Sequence, residues 1–105
     1  MIPDGREAAD EEQGTELSGS TFIILVGEDN VHLLNLTRES LSTWFKVLKA
    51  QNGRQALEVL ANETVDVIVS DVMMPEMNGL ELTAKVKSDI EYSHIPVILL
   101  TAKTT

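Results

Sequence analysis

Short apolar runs alternate with amphipathic segments along most of the chain. Four runs have the length and composition of strands: residues 22–26, 45–50, 65–69 and 96–100. The first is continuously apolar, which predicts a strand buried on both faces. The second is more polar, which predicts a position near the edge of a sheet.

Three helices are predicted between these strands. The first begins after Asn30, which can cap it; the second ends near Asn62; the third runs from Leu80 to about Ile90. The apolar positions expected to face inward are Leu33, Leu34, Leu41 and Trp44 in the first helix, Ala56, Leu57 and Leu60 in the second, and Leu82 and Val86 in the third.

The order is therefore strand then helix three times, followed by a fourth strand. Alternation at this spacing predicts right-handed crossovers and a parallel sheet with helices on both faces. In open sheets of this kind, ligands bind outside the carboxyl ends of the strands. We therefore look for chemistry where each strand ends.

Acidic and hydroxyl side chains follow three of the four strands. Glu28 and Asp29 follow the first, Asp71 the third and Thr101 the fourth, whereas the second strand runs into uncharged residues. Three carboxylates that converge at one edge repel one another and favour a bound cation. Mg²⁺ suits such oxygen ligands. One carboxylate can then attack phosphorus as a nucleophile, and the Thr101 hydroxyl can hydrogen-bond the phosphoryl oxygen.

Each of these features also has a purely structural interpretation. An acidic pair after a strand is often the start of a helix, where it complements the helix dipole. A single Asp at a strand end is often a turn residue, and Thr101 alone is more readily structural. Only the joint placement of Glu28, Asp29, Asp71 and Thr101 at one sheet edge favours a site.

Charge is distributed unevenly along the chain. The net charge is −9, and residues 1–20 hold six acids against one base, so −4 is left for the remainder. Residues 1–20 have no sustained apolar period, which predicts an acidic flexible linker or tail. The alternative is an acidic docking segment. The acidic balance argues against direct nucleic-acid binding.

Cysteine is absent, which excludes disulfides and thiolate metal sites. No apolar run approaches the ~20 residues of a membrane span, and the N-terminus lacks the pattern of a signal peptide. We therefore expect a cytoplasmic protein that does not enter a membrane.

Three motifs resemble those of response regulator receiver domains, the phosphoacceptor modules of two-component systems. Residues 26–30 (VGEDN) resemble the acidic-pair loop, residues 70–79 (SDVMMPEMNG) are very similar to the phosphoacceptor loop, and residues 99–102 (LLTA) look like the switch-threonine strand. The resemblance covers residues 21–105, and the phosphoacceptor loop carries most of it.

The resemblance implies a flavodoxin-like doubly wound sheet of strand order 2-1-3-4. It implies that Asp71 accepts phosphate from a histidine and that Asp29 binds Mg²⁺ directly, with Glu28 acting through water. The backbone carbonyl of Met73 supplies another metal ligand, and Thr101 contacts the phosphoryl group and moves. Such a domain is a switch with slow self-dephosphorylation more than an enzyme.

The sequence looks most like receivers of hybrid proteins, in which a sensor histidine kinase and its receiver share one chain. The expected partners are that kinase and a downstream output domain. Two rival interpretations stay open. One is a non-switching receiver-like module that binds proteins, and the other is a phosphohydrolase with an aspartyl intermediate, although such enzymes carry a second acid where this chain has Met73.

Several features depart from the family pattern. Glu28 stands where Asp is commoner, and Gly27 lies inside the first strand, where a glycine costs roughly 0.5–1 kcal/mol relative to alanine. The sequence stops at Thr105, before the expected fifth strand, the last helices and the family's phosphate-pairing lysine, which Lys103 does not replace. If this segment were all that exists, the uncovered fourth strand is expected to make it unstable, dimeric or strand-swapped. The simpler alternative is that the real chain continues beyond Thr105.

The remaining conspicuous side chains are interpreted as structural. His32 is expected on the surface of the first helix and His94 in a loop. The methionines Met73, Met74 and Met77 are expected to pack within the phosphoacceptor loop, and the alternative is a soft contact surface. Trp44 is expected to close the hydrophobic end of the first helix.

Overall fold

The computed structural model describes residues 21–101, which form three helices and four strands. The strands are β1 (Ile23–Gly27), β2 (Lys46–Ala50), β3 (Val67–Asp71) and β4 (Val97–Leu100), and the helices are α1 (Val31–Leu41), α2 (Gly53–Asn62) and α3 (Gly79–Ser88). The predicted elements are all present in the predicted order. The boundaries differ from the predicted ones by one or two residues in each strand.

The strands form one parallel sheet of order β2-β1-β3-β4. This confirms the predicted flavodoxin-like doubly wound arrangement and the edge position of the more polar β2. The central pairing of β1 with β3 ends where Gly27 lies opposite Ser70. The next residues of both strands therefore emerge side by side at the carboxyl edge of the sheet.

Two apolar clusters lie on opposite faces of the sheet. One cluster packs α2 and α3 onto the sheet, with Leu25 and Ile68 fully buried beneath them. The other packs α1 onto the opposite face through Leu34. Alternate residues of β1 and β3 thus point to different clusters, as expected for strands buried on both faces.

Asparagine side chains begin all three of these helices. Asn30, Asn52 and Asn78 each accept a hydrogen bond from a backbone N–H in the first turn, and Asn78 shares a reciprocal capping box with Glu81. These caps satisfy amide groups that the helix leaves unpaired. They also start each helix close to the carboxyl edge, where the strand before it ends.

Two predictions for the first helix were wrong. Helix α1 ends at Leu41, and Trp44 lies beyond it with its side chain 76% exposed. Phe45 takes the packing position instead, and its ring meets that of Phe22 edge to face at 5.8 Å. Leu33 is exposed because it neighbours the inward Leu34 on the helix, so it lies about 100° around the axis.

The third helix is also shorter than predicted. It ends at Ser88, where Asp89 caps it in an extended conformation, and Ile90 is 92% exposed in the following turn. Leu82 and Val86, four residues apart on one face, are fully buried as predicted. The inward face of the helix was thus predicted correctly, and only its end was wrong.

Several predictions fall outside the described part of the chain. The acidic linker at residues 1–20 and the last residues, 102–105, are not described. Between residues 21 and 101, no helix is long and apolar enough to cross a membrane. Ile98 and Leu100 of β4 are half exposed, and association through this strand stays a prediction.

Asp66 holds the start of the central strand pair, a role that the sequence pattern did not reveal. Its carboxylate Oδ2 accepts a hydrogen bond from the Ile23 N–H at 2.7 Å, and its own N–H donates to the Ile23 carbonyl at 2.8 Å. Both polar backbone groups of Ile23 are thereby paired with one residue. This pairing sets the register that brings the strand ends together at the opposite edge.

We expect Asp66→Ala to lower the free energy of unfolding by roughly 1–2 kcal/mol, because the Ile23 amide loses a charged acceptor. Urea unfolding followed by circular dichroism measures this loss. Glu58→Ala, at an exposed position of α2, is the matched control and is expected to change stability by less than about 0.5 kcal/mol. Equal stabilities of the two variants would contradict the role given to Asp66.

Candidate functional site

Three carboxylates meet at the carboxyl edge of the sheet. Glu28 and Asp29 directly follow β1, and Asp71 is the last residue of the neighbouring β3. One oxygen from each lies within 4.8 Å of the others. The predicted convergence of these side chains is therefore found in the structure.

The three carboxylates differ in their surroundings. Asp71 is only 9% exposed, Glu28 is half-buried and Asp29 is exposed. Burial raises the pKa of Glu28, the hydrogen bond that its Oε2 accepts from the Asn30 N–H lowers it, and the charges of Asp71 and Asp29 raise it again. The balance leaves the pKa of Glu28 above its ordinary value, with burial as the largest cause and the neighbouring carboxylates adding to it.

This donor set fits a small hard cation. All three ligand groups are carboxylates, and their mutual repulsion would be relieved by positive charge between them. Asp29 faces solvent, which leaves room for the water ligands that Mg²⁺ retains. The residues present therefore match the chemistry that Mg²⁺ requires.

The pKa of Glu28 predicts a pH dependence of stability in the absence of metal. The folded chain binds the proton of the Glu28 carboxyl more tightly than the unfolded chain does. The contribution of Glu28 to folding stability is therefore favourable at low pH. It is lost as pH rises from the ordinary glutamate pKa through the raised folded pKa. Urea titrations across this window, with a chelator present, measure the slope.

Glu28→Gln should flatten this slope, because glutamine does not titrate. The control is Glu39→Gln, which removes one exposed acid of α1 at the same cost in net charge. An unchanged slope in Glu28→Gln would show that the pKa of Glu28 is not raised in the folded chain.

The loop after β3 is tied to the end of that strand by two hydrogen bonds. The Met73 N–H donates to Asp71 Oδ1 at 3.3 Å, and the Gly79 N–H donates to the Val72 carbonyl at 2.9 Å. Glu76 adopts a positive φ of 66°, a turn conformation that few side chains adopt. The loop thus folds back so that α3 begins directly beside Asp71.

The three methionines of this loop behave differently. Met74 is buried and Met77 packs against the core, which confirms loop packing for both. Met73 is 70% exposed, so loop packing was wrong for this side chain. The Met73 main chain nevertheless lies at the site, because its N–H donates to the Asp71 carboxylate.

Thr101 lies at the same edge of the sheet. It directly follows Leu100, whose register partner in β3 is Asp71, and the Leu100 carbonyl accepts a hydrogen bond from the Val72 N–H. The candidate residues therefore all lie at or directly after the ends of strands.

The two histidines lie elsewhere, with His32 exposed on α1 and His94 exposed in the turn before β4, as predicted.

Two small residues behind the site were not identified as functional from the sequence. Gly27 and Ser70 lie opposite each other at the last β1–β3 pair, and both are buried. A Cβ on Gly27 would lie 2.9 Å from Ser70 Oγ, which explains a glycine inside a strand. The only signal in the sequence was the glycine inside a strand. It points to Ser70 only once the register of β1 against β3 is known.

Residues 24–105 match the family described as the response regulator receiver domain. The chain is 42% identical over 91 residues to Histidine kinase P4 of Formosa agariphila, an alignment that covers 87% of this chain and 6% of that kinase. The chain spans between 5% and 19% of the lengths of four curated relatives.

Solved structures show the same fold. The chemotaxis response regulator CheY4 of Vibrio cholerae superposes with a TM-score of 0.75 at 30% identity, covering 82% of this chain and 72% of CheY4. The signal receiver domain of a histidine kinase from Syntrophus aciditrophicus superposes with a TM-score of 0.75 at 35% identity, covering 81% of this chain and 65% of that one.

Proposed function

The chain belongs to the response regulator receiver domain family, and on that premise we propose that it is the phosphoacceptor of a two-component phosphorelay. Asp71 would accept a phosphoryl group from a kinase histidine. One observation carries the proposal: the carboxylate of Asp71 is buried at the strand edge, with those of Glu28 and Asp29 within 4.8 Å. A buried carboxylate beside two further acids is costly to the fold unless a cation or a charged ligand compensates it, which supports a functional site.

Asp71 would act as the nucleophile. The Met73 N–H holds Oδ1, which leaves Oδ2 as the oxygen that attacks phosphorus. As the new oxygen–phosphorus bond forms, the phosphorus–nitrogen bond of the phosphohistidine breaks and its electron pair returns to the imidazole. Such a transfer depends on alignment and charge stabilisation, since its transition state is loose.

The metal would be held by Asp29 and Asp71 directly, by Glu28 through water and by the backbone carbonyl of Met73. When bound, Mg²⁺ neutralises the carboxylates and the incoming phosphoryl oxygens. The exposure of Asp29 and Met73 keeps this side of the site open to the donor. Thr101, one residue beyond the partner of Asp71 in β4, would hydrogen-bond the phosphoryl group and move with it.

The proposed partners follow from this chemistry. A sensor histidine kinase, either in the same polypeptide or separate, supplies the phosphohistidine, and an output domain responds to the phosphorylated state. Relatives named as histidine kinases and as response regulators support both connections. The domain itself would act as a switch that loses its phosphate slowly.

The direct test is incubation with Mg²⁺ and a small phosphodonor such as phosphoramidate, followed by intact mass spectrometry. A single phosphoryl adduct that disappears when Mg²⁺ is chelated is the expected result. The absence of a phosphoryl adduct on the full chain would contradict the phosphoacceptor function. It would favour the rival interpretation of a receiver-like module that only binds proteins.

Mg²⁺ alone is expected to stabilise the fold, because it binds the folded site and not the unfolded chain. At ten times its dissociation constant the gain is about 1.4 kcal/mol, from RT ln(1 + [L]/Kd). Thermal unfolding with and without Mg²⁺ measures this gain. Asp29→Asn should remove most of it, whereas Asp89→Asn, beyond the C-terminus of α3, should retain it. Equal Mg²⁺-dependent stabilisation of both variants would show that Asp29 is not a metal ligand.

A further inference from the structure

Ser70 is the one polar residue, apart from Asp71, that is buried among the described residues 21–101. Its side chain is completely inaccessible to solvent. The hydroxyl donates a hydrogen bond to the backbone carbonyl of Asp71 at 2.9 Å, and its oxygen lies 3.9 Å from Met74 Sδ. The hydroxyl therefore touches the main chain of the acceptor residue and the side chain that anchors the following loop.

Gly27 provides the space for this hydroxyl. A Cβ at position 27 would lie 2.9 Å from Ser70 Oγ, 3.3 Å from Ser70 Cβ and 3.4 Å from Met74 Sδ. The first of these distances is too short for any real Cβ, so a side chain at position 27 would displace the hydroxyl. Gly27, Ser70 and Met74 thus form one packed unit behind the site, which we call the Ser70 cluster.

The cluster acts on Asp71 from two directions. The Ser70 hydroxyl holds the Asp71 carbonyl where the β1–β3 pairing has ended. The buried Met74 fixes the loop in which the Met73 N–H holds Asp71 Oδ1. The main chain and the carboxylate of Asp71 are therefore both held by contacts that depend on the cluster.

We propose that Ser70 is a positioning residue for Asp71, which orients the acceptor carboxylate through the Asp71 carbonyl and Met74, and that Gly27 is required because it leaves room for the hydroxyl. This rests on the proposed function of Asp71. If the hydrogen bond of the Ser70 hydroxyl served only to pair a buried polar group, the hydroxyl would contribute to stability alone. A positioning hydroxyl also affects metal binding and the rate of phosphoryl transfer, because small misplacements of reacting groups are costly.

The test uses Ser70→Ala, Gly27→Ala and the double variant in the full chain. Two quantities are measured on folded protein: the Mg²⁺ dissociation constant by calorimetry, and the phosphorylation rate at saturating phosphoramidate with Mg²⁺. Ser70→Ala should weaken Mg²⁺ binding by about threefold and lower the maximal rate by about tenfold, with an unchanged half-saturating donor concentration. Ser70→Thr retains the hydroxyl and should recover most of the rate.

Gly27→Ala should reproduce the loss seen in Ser70→Ala, because it displaces the same hydroxyl. The double variant should be no slower than Ser70→Ala alone, since contacting residues are not additive. Ser88→Ala is the matched control: its hydroxyl also donates to a backbone carbonyl, that of Lys85 at 3.1 Å, but far from the site. It should leave both quantities unchanged.

The outcomes separate this inference from the proposed function. Wild-type Mg²⁺ affinity and rate in Ser70→Ala would overturn the positioning role, and so would additive losses in the double variant. If the unsubstituted chain binds Mg²⁺ but is never phosphorylated, the phosphoacceptor function fails. The weaker Mg²⁺ binding of Ser70→Ala would then still support the positioning of the Asp71 carboxylate.

Discussion

Asp71→Asn is expected to abolish phosphorylation of this domain. Asparagine has nearly the same shape, and its side-chain oxygen can still accept the hydrogen bond from the Met73 N–H. It lacks the charged oxygen that attacks phosphorus, so no aspartyl phosphate can form. Intact mass spectrometry after incubation with Mg²⁺ and phosphoramidate should show the adduct in the unsubstituted chain and none in the variant.

Asp89→Asn is the control for this experiment, because it removes an exposed acid remote from the site with the same change in charge. Its adduct should form as in the unsubstituted chain. An adduct that survives Asp71→Asn would place the acceptor elsewhere and contradict the proposed mechanism. Unfolding measurements on Asp71→Asn should show a folded domain, since the loss of one negative charge relieves the repulsion among the three carboxylates.

Gly79→Ala is expected to have the largest effect on stability of the substitutions considered. A Cβ at this position would overlap the Asp71 carbonyl oxygen and would lie 3.0 Å from both Val72 Cα and Leu99 Cδ2. Two of these atoms belong to the main chain and cannot rotate away. We therefore expect a loss of about 3 kcal/mol, the upper end of the usual cost of overpacking, as measured by urea unfolding.

The same substitution should also slow phosphorylation per folded molecule, because the displaced atom is the Asp71 carbonyl. Leu80→Ala, on the adjacent and exposed position of α3, is the matched control. Its free energy of unfolding should change by less than about 0.5 kcal/mol. A Gly79→Ala variant as stable as Leu80→Ala would show that the start of α3 is not packed against Asp71 as described.

Local patterns were sufficient to predict the elements of the fold. The apolar runs predicted four strands, and the spacing of Leu82 and Val86 predicted the buried face of α3. Two of the errors lie where a helix ends. Trp44 and Ile90 are apolar and in phase with their helices, but the chain leaves the helix before either position. Packing of the next element, through Phe45 in the first case, decides such an ending.

The carboxylates of the candidate site were predictable for a different reason. In a parallel sheet all strands end at one edge, so the predicted parallel arrangement was enough to bring Glu28, Asp29 and Asp71 to the same edge. Whether the acidic pair was a helix cap or part of a site stayed open from the residues alone. The distances between their oxygens show that they form one cluster, and their roles remain proposals.

What the sequence alone determined is the succession of strands and helices, the parallel sheet and the acidic chemistry at its edge. These follow from periodicity and residue type, which act over a few neighbouring positions. Only the tertiary structure decided the contacts between residues distant along the chain. Asp66 binds the backbone of Ile23, 43 residues away, and Gly27 makes room for the Ser70 hydroxyl across the same strand pair. Such contacts depend on strand register, and the continuously apolar β1, which is buried on both faces, has no polar–apolar alternation that would specify that register.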